Sequence, residues 1–342
     1  MKRLRTAIIG LGRVGWQFHL QEAARHQGFE VAAVVDPLPE RREEARAKFG
    51  AWGYPDHRAL LAAEALDLVV IASPTQFHAE QALAAFEAGC DVFCDKPLAP
   101  SLAEADRMIA AAQQHGRKLT VYQPHRGRVE TVALQDILRR GLLGAPYLMK
   151  RAEARYVRRN DWQAFRAHGG GMLNNYGAHY IDQLLYVAGS PAKRIRCVLR
   201  TIASLGDAED VVKALIETES GVMLDVDINM AAAQEMSPWQ VLGARGSATL
   251  DLGARAWRVR YYLPEELPPQ ELHEGLAAPG REYPRDPAIP WREETFPLAN
   301  YAGVDFYEEC YRFFALGEPP FVPIEASREL MRVLEACRAD AG

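Results

Sequence analysis

The fold of this chain is decided by the stretch Ala7-Ile8-Ile9-Gly10-Leu11-Gly12-Arg13-Val14-Gly15. An apolar run ends in three glycines spaced G-x-G-x-x-G, and a helical pattern starts directly after them. In this arrangement the first glycine permits a tight turn, the second lets the backbone approach a pyrophosphate, and the third lets the helix pack closely on the strand. The helix start also favours an anion. The stretch therefore predicts a dinucleotide site that uses Gly10, Gly12, Arg13, Val14 and Gly15.

A carboxylate follows the next apolar run and indicates which dinucleotide is bound. Val31 to Val35 ends in Asp36, which lies 21 residues after Gly15. A carboxylate there suits the two hydroxyls of an adenosine ribose and repels a 2′-phosphate. Arg41 and Arg42 lie close behind and are able to hold a phosphate, but their pattern is more typical of a solvated helix. We therefore expect NAD as the cofactor, with NADP as the less favoured choice.

Length, charge and cysteine content restrict the class of protein. The chain has 342 residues and a net charge of −5, which predicts two domains and gives nucleic-acid binding no electrostatic support. The first apolar run is too short for a signal peptide or a membrane span. Five cysteines, an odd number in a long chain, favour reduced thiols. We expect a cytoplasmic protein without a nucleic-acid or membrane partner.

Short apolar runs alternate with helical patterns through the first third of the chain. This alternation predicts an α/β fold with a doubly wound parallel sheet of six strands, covered by helices on both faces. Ligands of such sheets bind beyond the carboxyl ends of the strands. Besides the glycine loop and Asp36, the side chains expected at these strand ends are Ser73, Asp95 and Gln123.

Two helix starts in this region are predicted from capping residues. Thr75 follows a strand that Pro74 breaks, and its hydroxyl is able to cap the next helix. Ser101 and Glu104 have the spacing of a capping box.

Lys96 is the sharpest candidate for a reacting group. It lies at a predicted strand end between Asp95 and Pro97, where a nicotinamide ring would lie. An ammonium there is able to hydrogen-bond a substrate hydroxyl and to favour its alkoxide as hydride leaves. The alternative is a surface lysine in a turn.

A second constellation lies in a predicted helix that follows three glycines at 169–171. His179 is a natural general base because the reference pKa of histidine lies near neutrality. Asn175 is four residues earlier, so we expect the two side chains to share one helix surface. The alternative is a core histidine bonded to a carbonyl. His179 and Asp182 lack a third ligand at matching spacing, so we predict no metal site.

The second half of the chain predicts another sheet and two closing helices. Residues 147–156 begin this sheet. The alternating segments that predict an antiparallel meander are 195–202, 211–218, 222–229, 239–242 and 248–252. Residues 263–297 are rich in Pro and Glu and predict a long surface excursion. Amphipathic patterns at 304–316 and 325–339 predict helices that pack back against the body.

Residues 155–168 are rich in arginine and aromatic residues. Arg155, Tyr156, Trp162 and Arg166 are able to line a sugar or polyol site, with aromatic rings stacking and the arginines donating hydrogen bonds. Alternatively, they form a rim or a subunit contact.

Together these motifs resemble the glucose–fructose oxidoreductase / inositol dehydrogenase / MocA family over nearly the whole chain. The resemblance rests on the glycine loop, Ser73-Pro74-Thr75 with His78, Asp95-Lys96-Pro97, the helix 169–183 and a helical C-terminus. It implies a Rossmann domain over residues 1–124 and an α/β domain over 125–342 with a large, mostly antiparallel sheet. Many family members form dimers or tetramers through that sheet, so a homodimer or homotetramer is expected.

The resemblance also implies roles for individual residues. Lys96 matches the lysine that assists proton transfer at the nicotinamide, and His179 matches the catalytic histidine. Asp95 replaces the usual glutamate, and Asn175 stands where an aspartate is common. An aspartate would stabilise a protonated His179, whereas a neutral amide only orients the ring or the substrate. The resemblance also implies four further cofactor contacts: Pro74, Thr75, His78 and Lys96.

We therefore expect an NAD-dependent dehydrogenase that acts on a secondary hydroxyl of a sugar, cyclitol or related polyol. The expected substrate contacts are Arg155, Tyr156, Trp162, Asn175 and His179. Two alternatives stay open. Asn175 also fits a dinucleotide-sensing regulator with weak chemistry, and some relatives are hydrolases that use bound NAD transiently to activate a glycoside.

Overall fold

Two sheets organise the chain, which the computed structural model describes over residues 3–270, 272, 274, 281 and 287–342. The strands are β1 (Leu4–Ile9), β2 (Phe29–Val35), β3 (Trp52–Tyr54), β4 (Leu68–Ile71), β5 (Asp91–Asp95), β6 (Leu119–Tyr122), β7 (Pro146–Ala154), β8 (Ala192–Arg200), β9 (Val211–Thr218), β10 (Met223–Asn229), β11 (Trp239–Gly243), β12 (Gly246–Asp251), β13 (Ala256–Tyr261) and β14 (Arg292–Pro297). The helices are α1 (Gln21–Arg25), α2 (Pro39–Phe49), α3 (His57–Ala63), α4 (His78–Glu87), α5 (Leu102–Gln114), α6 (Val129–Arg139), α7 (Ala178–Ala188), α8 (Phe306–Tyr311) and α9 (Ile324–Ala341).

Three helices are joined to π-helical turns, in which each N–H reaches one residue further back than in an α-helix. The π turns are Gly15–Leu20 before α1, Leu173–Gly177 before α7 and Arg312–Leu316 after α8. Within the described ranges, no helix combines the length and the apolar character that a membrane crossing needs.

The first sheet is parallel, with the strand order β3-β2-β1-β4-β5-β6. The order reverses between β1 and β4, and a doubly wound sheet binds its ligand in the crevice beyond that reversal. The predicted parallel sheet of six strands is thus confirmed. Its strand β3 had no clear signal, because Trp52-Gly53-Tyr54 is short and its first two residues are exposed.

The two predicted helix starts have different outcomes. Ser101 Oγ accepts the N–H of Glu104 at 3.2 Å, as a capping residue should. The expected cap by Thr75 is wrong. A short 3-10 turn precedes α4, and the carbonyl of Pro74 accepts the N–H of Phe77 at 2.9 Å. At this helix start a backbone carbonyl, and not the Thr75 hydroxyl, accepts a free N–H group.

The second sheet has the order β14-β13-β12-β11-β7-β10-β9-β8. Most neighbours are antiparallel, but β7 lies between β11 and β10 and runs parallel to β10. The predicted simple meander is therefore wrong at its centre, since strand order depends on long-range pairing that local alternation does not encode.

The predicted surface excursion over 263–297 is also wrong at its end, where β14 adds an edge strand to this sheet. Four of its six residues, Arg292 to Thr295, are exposed and polar, so the strand had no apolar signal. Residues 271, 273, 275–280 and 282–286 of the predicted excursion lie outside the described residues.

The C-terminal segment packs back on the first sheet, as expected. The Tyr307 hydroxyl of α8 lies 2.9 Å from Nδ1 of His19. Lys118 Nζ donates to the Phe313 carbonyl at 2.8 Å, and Thr120 Oγ1 donates to the Val322 carbonyl at 2.8 Å. Since this segment covers the first sheet, a domain boundary after residue 124 stays a prediction.

Candidate active site

The glycine loop between β1 and the first helix is shaped by close backbone contacts. Gly10 has a φ of 93°, and a Cβ there would lie 2.7 Å from the backbone of Ala72 and Ser73. A Cβ on Gly15 would lie 1.8 Å from the Gly10 carbonyl oxygen. At Gly12, in contrast, a Cβ would meet nothing within 4 Å. The loop is thus packed behind and open at Gly12, as the approach of a pyrophosphate requires.

Asp36 follows β2 and ties the glycine loop to the start of α2. Its Oδ2 accepts the N–H of Leu11 at 2.9 Å, and its Oδ1 accepts the N–H of Leu38 at 3.0 Å. The guanidinium of Arg41 lies 3.3 Å from Oδ2, and Arg42 Nη1 donates to the Asp36 carbonyl at 2.6 Å. The side chain is only 2% exposed. It serves as an anchor of the loop, and its contact with a ribose stays a prediction.

His78 joins two of the loops at the strand ends. Its Nε2 lies 2.9 Å from the Ser73 carbonyl oxygen, and its Nδ1 lies 3.1 Å from the Pro97 carbonyl oxygen. Burial is the main cause that lowers the pKa of His78. Pro74 is exposed and Thr75 is half-buried. The structure therefore places His78 beneath the loops, where it holds their backbones together.

Gln123 provides a test of whether the site fits a dinucleotide. It follows β6 and is fully buried, and neither its amide oxygen nor its amide nitrogen has a hydrogen-bond partner among the described residues. Buried amides are normally satisfied. An unpartnered amide at a strand end, together with the open space at Gly12, fits a cofactor that carries polar groups along this edge.

Lys96 links the first sheet to the second half of the chain. It follows β5, and its Nζ donates to the Asn175 carbonyl at 2.9 Å, in the π turn before α7. Its own N–H donates to Oδ1 of Asp95 at 2.8 Å. Burial lowers the pKa of Lys96 to about 8, while Asp95 opposes this shift and Arg13 adds to it. The ammonium is therefore held at the junction of the two halves and titrates close to neutral pH.

His179 lies in the first turn of α7 and stacks on His125. The ring centres are 4.0 Å apart and the planes differ by 10°. Nδ1 of each ring is buried and has no hydrogen-bond partner within the described part of the chain. Burial, reinforced by Lys96, lowers the pKa of His179 well below 6.5, and burial lowers the pKa of His125 to about 2. Both rings are neutral at pH 7, so His179 is able to accept a proton.

Asn175 lies in the π turn, and its side chain donates from Nδ2 to Oε1 of Gln163 at 3.0 Å. Asn175 and His179 line the same cavity. The expected alignment of their side chains on one helix surface stays a prediction.

The cavity has a volume of about 530 Å³ and takes its walls from both halves of the chain. Its lining includes Arg13 of the glycine loop, His125, Arg128 and Glu130 after β6, Arg151 and Glu153 of β7, Asn175, Tyr176, His179 and Tyr180 around the start of α7, and Leu252 and Arg255 of the turn after β12. Among the residues that the structure describes, no three His, Cys, Asp or Glu side chains are grouped as metal ligands would be.

The cavity separates the predicted substrate residues into two groups. Asn175 and His179 line it, and Arg155 donates a hydrogen bond to the hydroxyl of Tyr176, which also lines it. Tyr156 and Trp162 are 60% and 54% exposed and are not among its lining residues. The structure thus does not bring these two aromatic residues to the cavity wall.

Four basic residues of the cavity lining were missed by the sequence analysis: His125, Arg128, Arg151 and Arg255. The first two had a usable signal, because they follow the end of β6 directly after Gln123, where ligands of a parallel sheet bind. Arg151 had a weaker one, as an arginine within the predicted segment 147–156. Arg255 had none, since only the return of a distant hairpin brings it to the cavity.

Comparisons with known proteins agree with this architecture. A family model described as oxidoreductase family, NAD-binding Rossmann fold, matches residues 4–123, and a model of the GFO/IDH/MocA C-terminal domain matches residues 131–249. A solved structure of an NAD-binding protein from Listeria innocua has the same fold, with a TM-score of 0.83, 24% identity, and coverage of 99% of this chain and 95% of that one.

Two curated relatives are named as dehydrogenases. D-glucoside 3-dehydrogenase from Escherichia coli (strain K12) is 34% identical, over 55% of this chain and 55% of the relative. Inositol 2-dehydrogenase from Streptomyces avermitilis is 32% identical, over 66% of this chain and 65% of the relative. The match thus spans between half and two thirds of these relatives. Since the two family models together match more than half of the chain, it belongs to the Gfo/Idh/MocA family of oxidoreductases.

Proposed function

We propose that this chain is an NAD-dependent dehydrogenase that transfers hydride between nicotinamide and a secondary hydroxyl of a sugar, cyclitol or related polyol. The observation that carries the proposal is the bond from Lys96 Nζ to the Asn175 carbonyl at 2.9 Å. It brings an ammonium from the cofactor half to the backbone of Asn175, which lines the same cavity as His179, although Lys96 itself is not among the lining residues. A hydrogen-bond donor and a neutral base near one substrate oxygen are what the oxidation of an alcohol needs.

The residues of the first half would hold the cofactor, which supplies the hydride acceptor when it is bound. Those residues are Gly10, Gly12, Arg13, Val14, Gly15, Asp36, Ser73, Pro74, Thr75, His78, Asp95, Lys96 and Gln123. In the proposed reaction, the ammonium of Lys96 donates a hydrogen bond to the substrate oxygen. The neutral ring of His179 accepts the hydroxyl proton, and Asn175 positions the π turn against Lys96.

The choice of NAD over NADP is supported by the charge of Asp36. Its carboxylate lies at the loop that would hold the adenosine, and it would repel a 2′-phosphate. Arg41, which lies 3.3 Å from that carboxylate, partly offsets the repulsion. The preference is measured as the ratio of kcat/KM for NAD and NADP with the same substrate.

The substrate class is supported by the names of the two relatives, which act on a glucoside and on inositol. Dimerisation through the second sheet is supported by its open face. Val198, Leu215 and Met223, on three neighbouring strands, are exposed there among charged side chains, and exposed apolar side chains on a sheet face favour association. Light scattering on the purified protein measures the oligomeric state.

The test combines purified protein, NAD and a panel of sugars, sugar acids and inositols, with NADH absorbance as the signal. We expect NADH with at least one polyol and a loss of about 10²- to 10⁴-fold in kcat for Lys96→Ala, the range for a lost acid or base. Unchanged turnover in Lys96→Ala would contradict the proposed chemistry.

Two further outcomes of the same assay favour the alternatives. Release of product from a glycoside without net NADH indicates the hydrolase. NAD binding by calorimetry without turnover of any panel member, in the oxidative or the reductive direction, indicates the regulator.

A further inference from the structure

The cavity carries positive charge although the chain as a whole is acidic. The net charge of the chain is −5, yet four guanidinium groups and only two carboxylates line the cavity. The four are Arg13, Arg128, Arg151 and Arg255, and the two are Glu130 and Glu153. A cavity of one sign concentrates ligands of the opposite sign, so this surplus bears on what binds there.

The two carboxylates do not remove the surplus. Glu153 accepts the hydroxyl of Tyr180 at 2.7 Å and lies 3.3 Å from Nε of Arg155, a cation that is not part of the cavity lining. Glu130 lies 3.8 Å from Arg128, beyond hydrogen-bond distance. One carboxylate is thus engaged elsewhere, and the other is only a loose partner of one of the four arginines.

Two of the four arginines have evident roles. Arg151 is buried and donates to Oε1 of Gln183 at 3.2 Å and to the carbonyls of Ala152 and Pro238 at 2.9 Å each, so it braces the strands around it. Arg13 belongs to the glycine loop, where the proposed function places the cofactor pyrophosphate. The presence of these two arginines in the cavity is therefore accounted for without a charge on the substrate.

The other two, Arg128 and Arg255, are available to a ligand. Within the described residues, the guanidinium of Arg255 has no hydrogen-bond or ion-pair partner, and that of Arg128 has only the contact with Glu130 at 3.8 Å. They lie on the same wall, because Trp257 of β13 donates from Nε1 to the Glu130 carbonyl at 2.9 Å. That bond ties the start of α6, beside Arg128, to the strand that follows Arg255.

The backbone at Arg255 is unusual for an arginine. Its φ is 48°, in the left-handed region that a residue with a Cβ adopts at a cost of about 1 kcal/mol or more. Its carbonyl accepts the N–H of Leu298 at 2.9 Å, and its N–H donates to the Leu252 carbonyl at 3.3 Å. Both leucines line the cavity. The turn is therefore held against the cavity in a conformation that glycine would adopt more easily.

The proton-accepting end of the cavity lacks a counter-charge. Asn175 has an amide where a carboxylate would balance the cations, and the buried Nδ1 atoms of His125 and His179 have no partner among the described residues. Lys96 and Arg128 both act to lower the pKa of His179, after burial. A negative group on the substrate would balance these cations, which no carboxylate at position 175 does.

We propose that the substrate carries an anionic group, a carboxylate or a phosphate, and that Arg128 and Arg255 bind it on the wall formed by α6 and the turn after β12. The substrate class is thus a sugar acid or a sugar phosphate rather than a neutral polyol. This inference rests on the proposed dehydrogenase function and narrows it.

The test is calorimetric binding to protein saturated with NADH, so that no turnover is required. The probes are hexuronates, aldonates and hexose phosphates, each compared with its neutral parent sugar. We expect at least one anion to bind tenfold or more tightly than its parent. The series that binds more tightly, carboxylates or phosphates, identifies the anionic group of the substrate.

The variant Arg255→Gly separates recognition from folding. We expect about a tenfold to hundredfold weaker binding of the preferred anion, which is what a charge-assisted hydrogen bond contributes, with no loss of thermal stability because glycine suits a φ of 48°. Arg255→Lys should restore part of the affinity. Arg260→Gln is the matched control, since it removes the same charge from the exposed Arg260 on β13, next to Glu293.

The outcomes also separate this inference from the proposed function. If neutral parents bind as well as the anions, or if Arg255→Gly binds the preferred anion normally, the inference is wrong. If a neutral polyol is oxidised with dependence on Lys96 but not on Arg255, only the inference fails. If an anion binds through Arg255 but no panel member reduces NAD, only the dehydrogenase proposal fails.

Discussion

The two walls of the cavity are built in different ways. On the side of the first sheet, backbone does most of the shaping, through the glycine loop, the strand ends and the carboxylate of Asp36 that accepts two backbone N–H groups. On the side of the second half, side chains do it, through the stacked pair His125 and His179 and the arginines around them. The pyrophosphate of a dinucleotide is the same in every enzyme that binds it, so a backbone cradle suffices for it. A substrate that differs between enzymes requires side chains that differ.

The second wall depends on a buried ion pair, which provides the largest expected effect. Arg126 donates to both carboxylate oxygens of Asp182, at 2.8 and 2.5 Å, and so ties the turn that carries His125 to α7. Arg126→Met should lower the free energy of unfolding by about 3–5 kcal/mol, because it leaves a buried carboxylate without its partner. Urea unfolding measures the change.

A double variant is the control for this prediction. Arg126→Met combined with Asp182→Leu removes both charges and should recover most of the lost stability. If the single variant is as stable as the parent protein, the two walls do not differ in their dependence on side chains.

On the side of the first sheet we expect a substitution to stabilise the protein, because burial disfavours the ammonium of Lys96. The pKa of Lys96 is about 8 in the folded chain, against 10.5 for an unperturbed lysine. Below pH 8 the folded state therefore disfavours an ammonium that the unfolded state carries freely. Lys96→Met should raise the free energy of unfolding at pH 7 by about 1–3 kcal/mol, after the loss of the bond to Asn175, while it lowers kcat as Lys96→Ala does.

The sign of the pH dependence checks the cause. Between pH 8 and pH 10.5 the unfolded state binds more protons than the folded state, so Lys96 makes the protein more stable as pH rises through this window. Denaturant unfolding at several pH values should show this rise in the parent protein and a smaller one in Lys96→Met. Parallel profiles would mean that the lysine is solvated.

The smallest expected effect comes from restoring a carboxylate between the two walls. In the parent protein burial holds the pKa of His179 well below 6.5, which favours the neutral ring. The charge of Asn175→Asp would raise that pKa, and a protonated ring cannot accept the hydroxyl proton. We expect kcat/KM for oxidation to fall about twofold to tenfold more between pH 8 and pH 6 than in the parent. A pH profile that stays flat would place position 175 too far from the ring to act on it.

Sequence reasoning predicted most of the first sheet and less of the second. Parallel strands buried on both faces leave continuous apolar runs, and the glycine spacing marks where the first of them ends. The strand β14 has an exposed, polar sequence and pairs only because β13 lies beside it. The position of β7 between β11 and β10 is likewise a matter of distant pairing. Local alternation identifies strands but not their neighbours.

The candidate site divides in the same way. Lys96 and His179 were predictable from the sequence because each lies in a local pattern: Lys96 at a strand end and His179 in a helix after glycines. His125 packs on His179 from 54 positions away, and Arg255 reaches the cavity only through the turn after β12. The π turn at Asn175 also had no sequence signal, since the same letters suit an α-helix. Contacts of this kind require the folded chain.

The return of α8 to the first sheet has a consequence for how the protein is made. Tyr307, Tyr311 and Phe314 share one buried cluster with Ile8 and Phe29 of the first two strands. During synthesis these strands leave the ribosome long before the helix that covers them. One apolar face of the nascent sheet therefore stays uncovered until the segment from Tyr307 to Phe314 has emerged. Such faces are where incomplete chains aggregate, so translation of this distant segment completes the first sheet.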